Sequence, residues 1–201
     1  MIPRIIHSAW FGRGQKADHF KRCIDTWRKV HPDWQYLETT EANLGGGLMD
    51  CRYIREVLAR GEVVKATELA RVWALWEYGG VYLDADVELI KPLDPLLKHE
   101  FFAGWEDHQW INGAVMGSAP KGKAISWLLE HFPIDDAGHL PANHYGPIFI
   151  THQLLAMPDR NRCVEELPPE YFFPYLWNQT REQAVITKNT YAIHHWAKSW
   201  L

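Results

Sequence analysis

Only three cysteines occur in the 201 residues, Cys23, Cys51 and Cys163, an odd set without close spacing. That excludes a disulfide framework and a cysteine-ligated zinc site, and it fits a reducing compartment. No apolar run reaches the roughly 18 residues needed to span a bilayer. Met1-Ile2-Pro3-Arg4 lacks the basic start and apolar stretch of a secretory signal. The expectation is a soluble, unexported, cytoplasmic chain. An excess of positive charge is missing too: 25 acidic face 21 basic residues, so no basic field attracts a polyanion and no nucleic-acid partner is expected. Internal repeats and low-complexity tracts are absent. What remains is an ordinary globular composition, 47% hydrophobic and 23% charged, with room for one core, read as a single domain over residues 1–201. Tryptophan is abundant, with 11 residues, and its large amphipathic ring suits both a core and the stacking of bases or sugars.

Strand and helix patterns alternate along the chain, which predicts an α/β fold. Ile2 to Phe11 reads as a strand closed by Gly12-Arg13-Gly14, Asp18 to Val30 as a helix, and Trp34 to Glu38 as a strand. After a Gly45-Gly46-Gly47 turn, Asp50 to Arg60 reads as a helix. Glu62 to Tyr78 is a helix apolar on most sides and stopped by Gly79-Gly80. Its polar exceptions, Thr67, Glu68 and Arg71, need a partner or a task if buried. Val81 to Val87 follows as one strand. Beyond it, Phe101 to Trp105 and Ala114 to Gly117 read as strands and Gly122 to His131 as a helix. Residues 133 to 147 form a loop and Pro147 to Ala156 a helix, while 163–167, 171–173 and 191–196 are extended.

Side chains two apart on a strand share a face, so Asp84 and Asp86 are expected side by side, a hard-oxygen pair suited to Mg²⁺ or Mn²⁺ and, through it, to phosphate oxygens. Glu68 and Arg71, three apart on one helical face, are either a surface ion pair or a polar notch presented beside that strand to a charged, polyhydroxylated ligand. His194-His195-Trp196 with Ser199-Trp200 forms a polar and aromatic cluster that reads as a docked tail. Adjacent histidines on a strand face opposite ways, so both do not easily reach one metal. His7 and Trp10 read as core residues, or in the case of Trp10 as a strand-end ring facing a base.

The run Ala66-Thr67-Glu68-Leu69-Ala70-Arg71, then Leu75-Trp76-Glu77-Tyr78-Gly79-Gly80-Val81-Tyr82-Leu83-Asp84-Ala85-Asp86-Val87, resembles the D-x-D sugar transferases of glycosyltransferase family 32. These include initiating mannosyltransferases and capsular-polysaccharide transferases and are related to the clostridial glucosylating toxins. Ile2 to His7 with Trp10-Phe11-Gly12, Asn112-Gly113 with Gly117, and Tyr191 to Trp196 with Ser199-Trp200 agree with it. The resemblance implies a GT-A fold, α/β with a mixed central sheet flanked by helices, and a metal-dependent, retaining hexosyltransferase. Its donor would be a nucleotide-sugar, UDP-hexose ahead of GDP-mannose, and its acceptor a saccharide or a lipid-linked one. A lipid-linked acceptor would bring the chain to the inner face of the membrane as a peripheral protein. The resemblance places Ala9, Trp10 and Phe11 near the base. Thr67, Glu68, Arg71, Tyr82 and Asn112 fall around the donor sugar and diphosphate, with Arg71, Asp84 and Asp86 catalytic. Asp86 and Asp84, with His194 or His195, would hold Mn²⁺ or Mg²⁺; Ser199 would complete the phosphate site and Trp200 would close over the leaving group. Thr67-Glu68 stands where the family usually has Ser-Asp, so its carboxylate reaches one methylene farther.

Two other classes stay open at this level. A haloacid-dehalogenase-like phosphatase also uses an apolar strand followed by D-x-D, although about 80 residues precede the motif here and no later acidic motif follows. A sugar-binding relative without turnover would keep the aromatics and the acidic pair alike.

Overall fold

The β-α opening is realised as strand β1 (Ile5–Ala9), helix α1 (Asp18–Val30) and strand β2 (Gln35–Thr39). The structure, a computed structural model, describes residues 1–12, 14–44, 47–48, 50–134 and 139–197. Helices α2 (Arg52–Ala59) and α3 (Val63–Tyr78) follow, then strands β3 (Gly80–Leu83), β4 (Val87–Leu89), β5 (Phe101–Trp105) and β6 (Ile111–Ser118). Helices α4 (Lys123–Glu130), α5 (Pro147–Ala156) and the short α6 (Arg160–Cys163) lead to strands β7 (Val164–Leu167) and β8 (Ala192–His194).

Six strands form one mixed sheet in the order β2-β1-β3-β6-β5-β7. Strand β1 runs parallel to β2 and β3, β6 is antiparallel to β3 and β5, and β7 is parallel to β5. Each face carries a core, the two-sided covering expected of an α/β sheet. On one face Val57 of α2, Leu69 and Leu75 of α3, Ile125 and Leu128 of α4 and Ile150 of α5 pack over Tyr82 and Met116. On the other, Trp27 of α1 packs with Ile6, Val81, Leu83 and Val115. Helix α3 is apolar nearly all round because it touches α2, α4, β1, β3 and β6. Gly79 and Gly80, at φ of +63° and +108°, turn it directly into β3. A Cβ on Gly80 would lie 2.6 Å from the Ile5 carbonyl oxygen, so no other residue fits that turn.

The expected single strand from Val81 to Val87 is two strands in two sheets. Strand β3 ends at Leu83, and β4 pairs antiparallel with β8, Val87 opposite His194. Between them the Val87 N–H donates to the Asp84 carbonyl at 2.9 Å, closing a turn. Alternating hydrophobicity reads the same through such a turn as through a straight strand, so the pattern hides it. The segment 171–173, expected as extended, instead follows a 3₁₀ turn over Pro169–Tyr171. The first strand is shorter than Ile2 to Phe11, since Pro3 lies outside the paired register. Among the described residues, no helix is long and apolar enough to cross a membrane.

Candidate active site

The turn between β3 and β4 brings chemistry together in a way that strand alternation does not. Asp84 leaves the main sheet with its N–H on the Ala114 carbonyl at 2.9 Å, and the turn presents Asp84 and Asp86 towards β8. One ligand atom each from Asp84, Asp86 and His194 lies within 4.8 Å of the others. Asp86 is tied into the C-terminal segment: its Oδ1 is 3.3 Å from His194 Nε2, its Oδ2 accepts the Ala197 N–H at 2.8 Å, and its carbonyl accepts the His195 N–H at 3.1 Å. Burial alone would push the Asp86 carboxyl up, but the His194 imidazole and the Ala197 N–H outweigh it and hold the group well below the usual carboxylate range. For His194, burial disfavours the charge, and the Asp86 carboxylate more than restores it.

Arg71 stands beside this turn, only 4% exposed, on the buried face of α3. Its Nη2 donates to Asp84 Oδ1 at 2.9 Å and its Nη1 lies 2.9 Å from Glu68 Oε2. The guanidinium also sits 4.8 Å from the Tyr82 ring. Burial works against the Arg71 charge, but Asp84 and Glu68 together raise its affinity for the proton. Burial pushes the Glu68 carboxyl up to about 7, because the attraction of Arg71 offsets only part of the desolvation and Asp84 adds repulsion. Gly146, the residue before α5, lies so close that a Cβ there would sit 3.0 Å from Glu68 Oε1.

These groups line a cleft of about 330 Å³ together with Ala9, Trp10, Phe11, Thr67, Asn112, Trp196 of the C-terminal aromatic cluster and two residues without a sequence signal, Glu106 and Trp177. Four buried side-chain atoms of the described residues lack a well-directed hydrogen bond: Glu68 Oε2, Arg71 Nε, Tyr82 OH and His194 Nδ1. Three of the four belong to residues of the cleft wall and the fourth, Tyr82, lies directly beneath Arg71. Glu68 Oε2 keeps its ion pair with Arg71 and Tyr82 OH is sealed off from the cleft, which leaves Arg71 Nε and His194 Nδ1 as the cleft-wall atoms where a polar ligand has a partner to offer.

The structure also separates residues that the sequence grouped. His195, the alternative to His194 as metal ligand, turns away: its Nε2 is 2.9 Å from Glu88 Oε2 and its Nδ1 3.4 Å from the Tyr175 hydroxyl. Strand alternation at β8 is the reason, and the histidine set narrows to His194. Tyr82 does not reach the cleft; it is 1% exposed and supports Arg71 from below. Asn112 has its amide committed, donating to Glu106 Oε2 and accepting the Ala114 N–H at 2.7 Å. His7 is a core residue whose Nε2 meets the Gly79 carbonyl at 2.7 Å. Ser199 and Trp200 lie outside the described residues. Glu106 was not foreseen, because an isolated carboxylate in a loop carries no pattern; the β5–β6 hairpin brings it in, with its N–H on the Trp110 carbonyl at 2.8 Å. Burial raises its pKa, which Asn112 partly opposes.

Two outcomes follow from this geometry. Glu68 binds its proton more tightly folded than unfolded, so the stability it contributes is fully present below about 4.5 and is lost as pH rises through about 7. Denaturant titrations between pH 5 and 8 are expected to show that decline in the wild type and a flatter profile in Glu68→Gln. A Cβ at Gly113 would collide with Arg71 Nη1 and lie 2.8 Å from Ile150 Cδ1. Gly113→Ala is therefore expected to lower stability by about 1–3 kcal/mol, the usual range for overpacking, and to displace the guanidinium from Asp84. A denaturation midpoint equal to the wild type would show that Arg71 is free to move.

Comparison with known proteins agrees with this geometry. Residues 17–103 match a family described as the glycosyltransferase sugar-binding region containing a DXD motif. Lactosylceramide 4-alpha-galactosyltransferase of Rattus norvegicus is 27% identical over 149 residues, covering 66% of this chain and 40% of the relative. Inositol phosphoceramide mannosyltransferase 3 of Schizosaccharomyces pombe is 28% identical over 142 residues, covering 66% of this chain and 37% of the relative. The chain thus spans about two fifths of the length of these relatives. Among solved structures, the PaToxG glycosyltransferase superposes with a TM-score of 0.64 at 17% identity, over 79% of this chain and 71% of the other. The UDP-bound glycosyltransferase domain of the YGT toxin gives 0.59 at 10% identity, over 82% and 79%. Residues 17–103 thus resemble the sugar-binding region of the DXD-containing glycosyltransferases, and the mixed sheet that carries them has the GT-A fold of these neighbours.

Proposed function

We propose that the chain is a divalent-metal-dependent, retaining hexosyltransferase that takes its sugar from a nucleoside diphosphate donor, UDP-hexose ahead of GDP-mannose. The acceptor is a hydroxyl of a saccharide or glycolipid, in surface glycan synthesis, reached at the inner face of the membrane when it is lipid-linked. The observation that carries this reading is the convergence of Asp84, Asp86 and His194 within 4.8 Å on a cleft that also holds the buried Arg71. The UDP bound to the YGT toxin domain and the glycolipid acceptors in the names of the rat and yeast relatives support it.

Two carboxylates and an imidazole, with His194 Nδ1 lacking a partner, fit Mn²⁺ or Mg²⁺ by the chemistry of the donor set. Such an ion, when bound, supplies charge neutralisation for a departing diphosphate. Within the chain, Asp86 and His194 hold its side of the site, while Arg71, fixed by Glu68 and Asp84, places a second positive charge where phosphate charge develops. The bond between the anomeric carbon and the phosphate oxygen breaks, and the acceptor hydroxyl oxygen bonds that carbon from the same face. The hydroxyl proton passes to the departing phosphate oxygen. The sugar passes through an oxocarbenium-like state, and a glycosyl adduct trapped on Glu68 would overturn this order of events. Asn112, its amide oriented by Glu106 and Ala114, lines the part of the cleft where the sugar hydroxyls need partners.

The phosphatase alternative needs Asp84 as a free nucleophile at the end of an opening strand. Here Asp84 follows the third strand and is paired with Arg71 at 2.9 Å. The test is incubation with UDP-galactose, UDP-glucose and GDP-mannose, Mn²⁺ and octyl glycoside acceptors, with product linkage read by NMR. An alpha-linked product from one donor is expected; phosphomonoester cleavage without transfer would favour the phosphatase, and nucleotide binding without either the sugar-binding module.

A further inference from the structure

We propose that Trp177 is the platform on which the sugar ring of the acceptor stacks, a role that rests on the transferase reading above. Among the described residues three tryptophans line the cleft, and they differ in their exposure to water. Trp10 is half-buried: it donates its indole N–H to the Gly14 carbonyl at 2.9 Å, meets the Phe20 ring edge-on at 5.0 Å and carries the Lys16 ammonium 4.8 Å above it. Trp196, half-buried as well, donates to the Tyr175 carbonyl at 3.0 Å with its ring 4.3 Å from His194. Trp177 lines the same cleft while 56% exposed. A single exposed tryptophan is common on a protein surface, but this one lines the cleft that holds Asp84, Asp86 and His194, where a large amphipathic ring suits a sugar face.

The segment that carries this ring is built to hold it in place. Residues 174–185 form a closed loop whose ends meet through the Val185 N–H and the Pro174 carbonyl at 2.9 Å. Inside it, Gln179 bridges back to Leu176, its N–H on the Leu176 carbonyl at 2.9 Å and its Oε1 accepting the Leu176 N–H at 2.7 Å. Trp196, and Tyr175 through its 3.4 Å contact with His195, fasten the loop to β8, the strand that supplies His194. The backbone that carries the ring is therefore tied to the strand that supplies His194. Glu68 and Arg71 are buried in the floor, so a second sugar enters over the mouth. One face of a pyranose shows mainly C–H groups, which pair with an indole face and shed water, while its rim of hydroxyls needs polar partners, which Asn143 and Glu106 of the same cleft offer.

The test follows the indole N–H resonances of the intact ¹⁵N-labelled chain, those of Trp10 and Trp177 assigned by their loss in Trp10→Phe and Trp177→Phe. UDP with Mg²⁺ is added first, then octyl β-galactoside, octyl β-lactoside and octyl α-mannoside in turn. The expected result is that the nucleotide moves Trp10 and that one glycoside then moves Trp177 in a saturable way. In transfer assays Trp177→Leu raises the acceptor KM about tenfold and Trp177→Phe recovers most of it, the nucleotide Kd being unchanged. If the nucleotide moves Trp10 but no glycoside moves Trp177, the platform is overturned and the transferase stands. If the nucleotide itself moves Trp177 as far as Trp10, or Trp177→Leu weakens nucleotide binding, the ring belongs to the donor site and the proposal fails. A nucleotide that moves neither ring removes the transferase reading and the platform with it.

Discussion

Asp86→Ala is expected to abolish metal-dependent nucleotide binding and to lower sugar transfer by on the order of 10²–10³-fold, the size of effect seen when one group stabilising developing charge is removed. Asp86 is the hub of the site. It meets His194 at 3.3 Å and accepts the Ala197 N–H at 2.8 Å, so it both offers a ligand oxygen and pins the segment after β8. Its carboxyl is held well below the usual range by those contacts, hence it is a full anion at any pH at which the chain would work. Asp86→Asn separates the two roles: it keeps an oxygen for the Ala197 N–H and loses the charge. Titration of each variant with UDP in the presence and absence of Mn²⁺ checks the expectation. Unchanged nucleotide affinity in both variants would remove Asp86 from the site.

The second large effect is expected at Arg71. Arg71→Met removes the shared partner of two carboxylates and leaves Glu68 buried without a counter-charge, for which about 3–5 kcal/mol of destabilisation is typical. The loss should depend on pH in a defined direction. Arg71 opposes the burial that pushes the Glu68 carboxyl up to about 7, so without Arg71 the group binds its proton more tightly still; at pH 5.5, where it is protonated with or without Arg71, part of the loss disappears. Asp84, with 26% of its side chain exposed, keeps water and contributes less. Arg71→Lys restores charge but not the fork that reaches Glu68 and Asp84 together, so its stability should recover further than its turnover. Urea denaturation at the two pH values reads the first expectation, and a loss equal at both would show that Glu68 is not the group left behind.

How much of this was legible depended on whether a signal was local. Helix α3 announced itself because its apolar surround leaves Glu68 and Arg71 conspicuous, and their burial follows from the same pattern. The carboxylate pair was legible as a pair, but not as a turn. Val81 to Val87 alternates like a strand, and only pairing with β8, more than 100 residues on, takes β4 into another sheet. Adjacent histidines at the end of β8 had to diverge, yet which one faces Asp86 depends on the register Val87 to His194. Tyr82 is grouped with the ligand-binding residues by the resemblance alone. In the fold it packs beneath Arg71. Glu106 and Trp177 sit in loops where neither period nor spacing singles out a residue, and they reach the cleft only through the β5–β6 hairpin and the closed 174–185 loop.

The central claim is that Asp84, Asp86 and His194 make a metal-dependent nucleotide site, and the most direct measurement is thermal unfolding with UDP, GDP and CMP, each with and without Mn²⁺. A ligand bound only to the native state at about 100 times its Kd adds about 2.7 kcal/mol, which for a chain of this size raises the midpoint by roughly 5–10 °C. The account predicts such a rise with one nucleoside diphosphate, UDP first, only when Mn²⁺ is present and not in Asp86→Ala. A folded wild-type sample that no nucleotide stabilises, or one stabilised equally without Mn²⁺ and in Asp86→Ala, would contradict it.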